Sequence, residues 1–190
     1  MTIAREENDE RAEGQTLKAI ADIQMETKSD LAPIIDGYTR AFKIFQKIKD
    51  FNSQGSVLKR MGHTYLGVSD YPSAHKFFKK AVAIFQKIRN FRNEGRAYHG
   101  LGMVYTAEKN LIEAIENYQK ALKLFSVSMD KKDQLFTLNH LAEVYRDSMD
   151  MDNAINAYEQ GLALAKELAD RRMEGQMHWE ASQAMDQFGE

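Results

Sequence analysis

Apolar residues recur along the chain at alternating spacings of three and four, as at Ala74, Phe78, Ala81, Phe85 and Ile88. That spacing lays them on one stripe of an α-helix and leaves the opposite face polar. Followed through the chain, it predicts three helix–turn–helix units. Their first helices read GSVLKRMGHTYLG (55–67), GRAYHGLGMVYTA (95–107) and LFTLNHLAEVYRD (135–147). Their second helices occupy 71–88, 111–128 and 151–168. Asp70, Asn110 and Asp150 stand where N-caps of the second helices belong, and Asn110 with Glu113 has capping-box spacing. Pro33 and Pro72 fall in first turns, where a missing N–H costs no intrahelical bond. With only two prolines and no strand-like alternation, the fold class is all-α.

The units repeat in sequence as well as in pattern. AFKIFQKIKDFNSQG (41–55) and AVAIFQKIRNFRNEG (81–95) share 8 of 15 residues without a gap. A fixed period of forty residues marks stacked helix pairs, because one pair cannot bury its apolar faces alone. The register extends to a second helix at 31–51, a degenerate partner at about 12–28, and a first helix at 175–188 with no second helix to cover it. Atypical end units are expected where a stack stops. The predicted organisation is a charged, flexible arm at 1–11 and a single domain at 12–190. Its repeats lie at about 12–53, 54–93, 94–133 and 134–173, followed by a terminal helix at 174–188.

Leu58, Met61-Gly62, Tyr65, Ala74, Phe78 and Ala81 recur as Tyr98, Leu101-Gly102, Tyr105, Ala114, Tyr118 and Ala121. They recur again as Leu138, Leu141-Ala142, Tyr145, Ala154, Tyr158 and Gly161. This signature resembles the tetratricopeptide repeat in its longer variety, found in kinesin light chains, spindle-orientation adaptors and bacterial peptide sensors. The resemblance implies a right-handed α-solenoid of antiparallel helix pairs, about four repeats plus a terminal helix, whose first helices line a concave groove. The chain departs from the usual pattern in lacking the proline that ends the second helix, which predicts second helices a turn or two longer. Gly62, Gly102 and Ala142 are small where helices cross and let them approach closely.

Charge is divided unevenly. Residues 1–36 carry 4 basic and 9 acidic side chains, residues 37–109 carry 14 and 4, and residues 110–190 carry 8 and 15. Such asymmetry speaks about partners rather than fold. There is no cysteine, which excludes disulfides and thiolate chemistry and fits a reducing, cytoplasmic setting. No apolar run reaches the roughly 18 residues that a membrane span needs.

Catalytic chemistry finds no support in the sequence. GLG at 100–102 lies within a helix rather than after a strand, and no HExxH or glycine-rich phosphate motif occurs. His63, His99, His140 and His178 fall on first helices in differing registers, which predicts that they do not converge. No metal, cofactor or enzymatic activity is expected.

The resemblance instead implies binding in the groove, where repeats differ while their scaffold residues agree. The candidate groove residues are Lys59, Arg60, His63 and Leu66; Arg96, His99, Met103 and Thr106; Phe136, Asn139, His140, Glu143 and Arg146; and Trp179 with Gln183. The basic first two sets favour an acidic peptide or protein segment as partner. A chaperone-type carboxylate clamp is not matched, since His63 and Gly100 stand where asparagines belong and Phe136 replaces a lysine. A second candidate surface is a convex basic patch at Lys76, Lys79, Lys80, Lys87 and Arg89. The expected function is a non-enzymatic protein-interaction module. The alternatives are a self-assembling homo-oligomer and a peptide-responsive regulatory sensor; nucleic acid and membrane are not expected partners.

Overall fold

The computed structural model describes residues 2–27 and 30–188 and contains, among them, nine α-helices and no strand. They are α1 (Thr2–Glu26), α2 (Leu31–Lys47), α3 (Phe51–Gly67), α4 (Tyr71–Lys87), α5 (Phe91–Ala107), α6 (Leu111–Val127), α7 (Lys131–Asp147), α8 (Met151–Glu167) and α9 (Arg171–Phe188). None of them is long and apolar enough to cross a membrane. Of the arm expected at 1–11, residue 1 lies outside the described residues, and the backbone is helical from Thr2 onward.

A period shorter than the repeat governs this architecture. Helices α2 to α8 each have 17 residues, and three residues separate each from the next. The middle of the three residues before every helix from α3 onward has positive φ: Lys49, Ser69, Arg89, Lys109, Met129, Met149 and Ala169, between 53° and 64°. Here the chain leaves the helix through a left-handed residue. At the first of these turns Lys49 N–H donates to the Gln46 carbonyl and Asp50 N–H to the Phe45 carbonyl, the paired bonds of a Schellman motif. The long bond of that pair recurs at 2.9 Å for Asp70, Asn90, Asn110, Asp130, Asp150 and Asp170.

The residue that closes one helix also opens the next. The side chains of Asp50, Asp70, Asn90, Asp130, Asp150 and Asp170 accept from the backbone N–H three positions on. First helices therefore begin four residues earlier than the apolar pattern indicates, at Phe51, Phe91 and Lys131. The capping box expected of Asn110 and Glu113 does not form. Asn110 makes no side-chain cap bond, and its own N–H, which Glu113 would have to receive, is donated to the Tyr105 carbonyl.

The chain divides into two compact units, residues 1–93 and 94–190. In the first, α1 packs on α2, α2 on α3, and α3 on α4. Gly55 and Gly62 lie flat against rings of α4; a Cβ on either would sit 2.6 Å from Phe85 or 2.9 Å from Phe78. Phe78 and Phe85 are wholly buried, as are Tyr38 and Phe45. In the second unit α6 packs on α7, α7 on α8, and α8 on α9. Gly95 and Gly102 repeat the arrangement against Phe125 and Tyr118, at 2.7 Å each. The glycines thus act by the space they leave for rings seven residues apart, despite their cost within a helix.

Candidate functional site

In the first unit the groove candidates are held by the scaffold's own charges. Arg60 on α3 pairs with Asp22 on α1 at 3.2 Å, and Asp22 also receives Tyr38 Oη at 2.6 Å and Lys18 Nζ at 2.6 Å. Burial, reinforced by that carboxylate, raises the Tyr38 phenol well above its ordinary range. His63 packs edge-on to Phe78 with ring centroids 4.9 Å apart. Burial first, then the Lys59 and Arg60 cations, pushes its pKa down to about 4, so it is neutral near pH 7. It borders an apolar cleft of about 440 Å³ with Met25, Leu31, Ile34, Thr64 and Val68.

In the second unit Arg96 on α5 is likewise engaged, bonding Asp133 closely and reaching Asp130 at 3.5 Å. The acidic preference expected of the groove thereby loses two carriers, Arg60 and Arg96, to internal ion pairs. The histidines correct a second expectation. His99 and His140 converge, with ring centroids 5.2 Å apart, and both meet the Tyr118 ring, at 5.3 and 6.0 Å. His99 Nδ1 also lies 2.9 Å from Thr137 Oγ1. Differing registers bring them together because consecutive first helices face each other at offsets near the repeat length: 37 for Arg96–Asp133, 38 for His99–Thr137 and 39 for Thr64–Met25.

A cleft of about 390 Å³ opens between α7 and α9. From α7 it is lined by Phe136, Asn139, His140 and Glu143, four of the predicted residues, and from α9 by Met173 and Gln176. Asn139 Nδ2 donates to Glu143 Oε1 at 3.0 Å, and His140 Nδ1 lies 3.5 Å from Glu143 Oε2. The His140 bond, against the pull of burial, holds the Glu143 carboxyl below its usual range, with Arg146 and Asn139 assisting. One turn along α9, Gln176 Nε2 donates to Glu180 Oε1 at 2.8 Å.

The remaining candidates stand apart from this cleft. Met103 packs against the apolar core, and Arg146 reaches Asp147 at 3.6 Å. Lys59 and Leu66 are half-buried and Gln183 is exposed. Thr106 Oγ1 turns back to the Gly102 carbonyl at 3.0 Å. Trp179 is 62% exposed, so it does not seal an interface within the chain. Lys76, Lys79, Lys80, Lys87 and Arg89 are all exposed, with Lys87 Nζ 4.6 Å from the centre of the Phe51 ring. Sequence reasoning missed Asp22, Asp133, Gln176 and Glu180. The near-repeat offset from each arginine to its aspartate was the available signal for the first two.

Residues 93–167 match the family model described as tetratricopeptide repeat. A search of curated proteins finds no match. Among solved structures, aspartyl phosphate phosphatase F from Bacillus subtilis superposes with a TM-score of 0.84 at 14% identity, over 94% of this chain and 49% of that one. A signal-transduction ATPase with a tetratricopeptide repeat sensor from Pyrococcus horikoshii gives 0.75 at 17%, over 92% and 26%. A putative kinesin light chain from Podosopora anserina with nearly identical repeats gives 0.66 at 14%, over 92% and 86%. The chain thus spans about half of the first of these and about a quarter of the second. At these identities the likeness is one of fold.

Proposed function

We propose, from the tetratricopeptide repeat match over residues 93–167 and the repeat pattern that continues on either side of it, that this chain is a repeat-built protein-interaction module that binds a segment of another protein along its first helices. Repeat proteins of this kind generally mediate protein–protein interaction. The observation that carries the finer reading is the cleft between α7 and α9. Its lining includes Phe136, Asn139, His140 and Glu143, positions where the repeats differ, while scaffold contacts such as Gly55–Phe85 and Gly95–Phe125 are reproduced. A volume of about 390 Å³ is at the small end of ligand pockets and suits one or two side chains of a bound segment.

The test is selection of displayed twelve-residue peptides on the intact chain, followed by affinity measurement. An Asn139→Ala/Glu143→Gln variant should lose at least tenfold, the scale of a hydrogen bond to a charged group. A Lys76→Ala/Lys79→Ala/Lys80→Ala variant on the outer face should bind as the parent does. Loss only in the lysine variant would move the site to that face and overturn the groove.

A second reading, association with another copy, is favoured by the open face of α9. A methyl group at Gly175 would meet nothing within 4 Å, unlike one at Gly55 or Gly95 in the same register, and Met185 is 51% exposed. The basic stretch 37–109 supplies the complementary charge to the acidic residues 110–190. Light scattering across protein and salt concentration tests it: a monomer throughout removes this reading.

A further inference from the structure

Helix α9 has two unlike faces. Met173, Met177, Ala181 and Ala184 are buried in the core that it shares with α7 and α8. The opposite ridge, Arg171, Gly175, His178, Trp179, Ser182 and Asp186, is exposed along its whole length. Trp179, the chain's only tryptophan, stands at its middle, 62% exposed. The steps between these residues are four, three, one, three and four, so the ridge reads the same from either end. Laid antiparallel on itself, it sets Arg171 opposite Asp186, Gly175 opposite Ser182 and His178 opposite Trp179. Each pairing is complementary: a cation meets an anion, small residues meet where backbones must approach, and ring meets ring. Within one chain Arg171 and Asp186 are fifteen residues and about 22 Å apart along the helix. Among the described residues neither forms an ion pair.

Resting on the second reading above, that copies associate through α9, we propose that they do so in pairs, α9 against α9 of a second copy. The two helices run antiparallel about a two-fold axis that passes between His178 and Trp179. The axis makes every contact occur twice, so an Arg171–Asp186 ion pair closes each end of the interface. The open ridge of α1 is the other candidate for α9, and it fits less well. Ala12, Thr16, Ile20 and Ile23 are exposed there and carry no charge, so Arg171 and Asp186 would go unanswered. That contact would also be head to tail, building rings or filaments rather than pairs. Met173 and Gln176, which line the cleft toward α7, lie off the ridge, so the pairing face and the peptide cleft are separate. A ridge about 22 Å long buries less than the roughly 800 Å² per partner of a standard interface, and the expected affinity is micromolar.

The experiment is sedimentation equilibrium of the full chain from about 1 μM to about 1 mM, with Trp179 emission read alongside. A monomer–dimer equilibrium with no larger species is expected, and the emission should shift to the blue as dimer forms. Arg171→Asp and Asp186→Arg should each weaken dimerisation about tenfold, because each sets like charges together twice. The double variant Arg171→Asp/Asp186→Arg should regain the parent affinity, a rescue that two residues so far apart on one helix achieve only between copies. Both sites are exposed, so the helical circular dichroism should match the parent throughout. Association that ignores both single substitutions, that the double variant fails to restore, or that grows beyond a dimer overturns the pairing and leaves the association reading standing. A monomer at every concentration overturns both.

Discussion

The two clefts, one in each unit, are built on matching scaffolds and offer opposite chemistry. In the first unit Met25, Leu31, Ile34 and Val68 surround a histidine kept neutral by burial. In the second, at the same register two repeats on, Glu143 replaces His63 and is kept charged by its neighbours. The room left for rings in the two scaffolds is nearly the same: a Cβ added at the glycines would sit 2.6–2.9 Å from its ring in one unit and 2.7 Å in the other. The lesson is a division of labour within each helix pair. Residues that set helix spacing are copied, and residues that a first helix turns toward its neighbouring first helix are free to vary.

The comparison is broken hardest at the shared rings. Phe85→Ala and Phe125→Ala should each cost about 3–5 kcal/mol in urea unfolding, because each empties a wholly enclosed site. A much smaller loss in one unit would mean that the scaffolds are not equivalent. Next comes acidity. His63 has a folded pKa of about 4 against an unfolded value of 6.5, so the unfolded chain binds the extra proton between them. Its contribution to stability is complete above about pH 6.5 and is lost as pH falls toward 4, by about 2–3 kcal/mol. His63→Leu should flatten unfolding free energy across that window. Glu143→Gln should change only the lower end, since a lowered carboxyl pKa acts as pH falls through the ordinary carboxylate range and below.

Smaller effects sharpen the picture by sign. Gly55→Ala and Gly95→Ala should destabilise by about 1–2 kcal/mol, because a Cβ there drives into a phenylalanine ring. The same change at Gly175, which faces open space, should stabilise by about 0.5–1 kcal/mol through helix propensity alone. Smallest of all, Lys109→Gly and Met129→Gly should each stabilise by roughly 0.5–1 kcal/mol, by relieving a left-handed backbone at φ 62° and 53°. Thermal denaturation of the single variants reads both pairs.

Much of the scaffold was legible in the sequence, because packing leaves a periodic record. Tyr38, Phe78, Tyr118 and Tyr158 stand forty residues apart, and each is buried. The helix starts were misjudged for a physical reason: glycines at 55 and 95 look like punctuation, yet they are sockets inside the helix. The better marker was the Asp or Asn at 30, 50, 70, 90, 110, 130, 150 and 170, a twenty-residue beat that six of these residues express as side-chain caps. The site was less legible. Asn139, His140 and Glu143 could be placed on a first helix, but Arg60 and Arg96 were read as open charges. Whether a side chain is spent on its neighbour depends on pairing between helices, which spacing along one helix does not encode. Gln176 and Glu180 were missed for the same reason: their role appears only against α7.

The central claim is that partners are read by the first helices where repeats disagree. Its most direct test is the position of a selected peptide in a crystal structure of the complex. The account predicts the peptide against α7 and α9, with a side chain entering the cleft beside Asn139 and Glu143. A peptide lying instead along α4, on Lys76, Lys79 and Lys80, would contradict it.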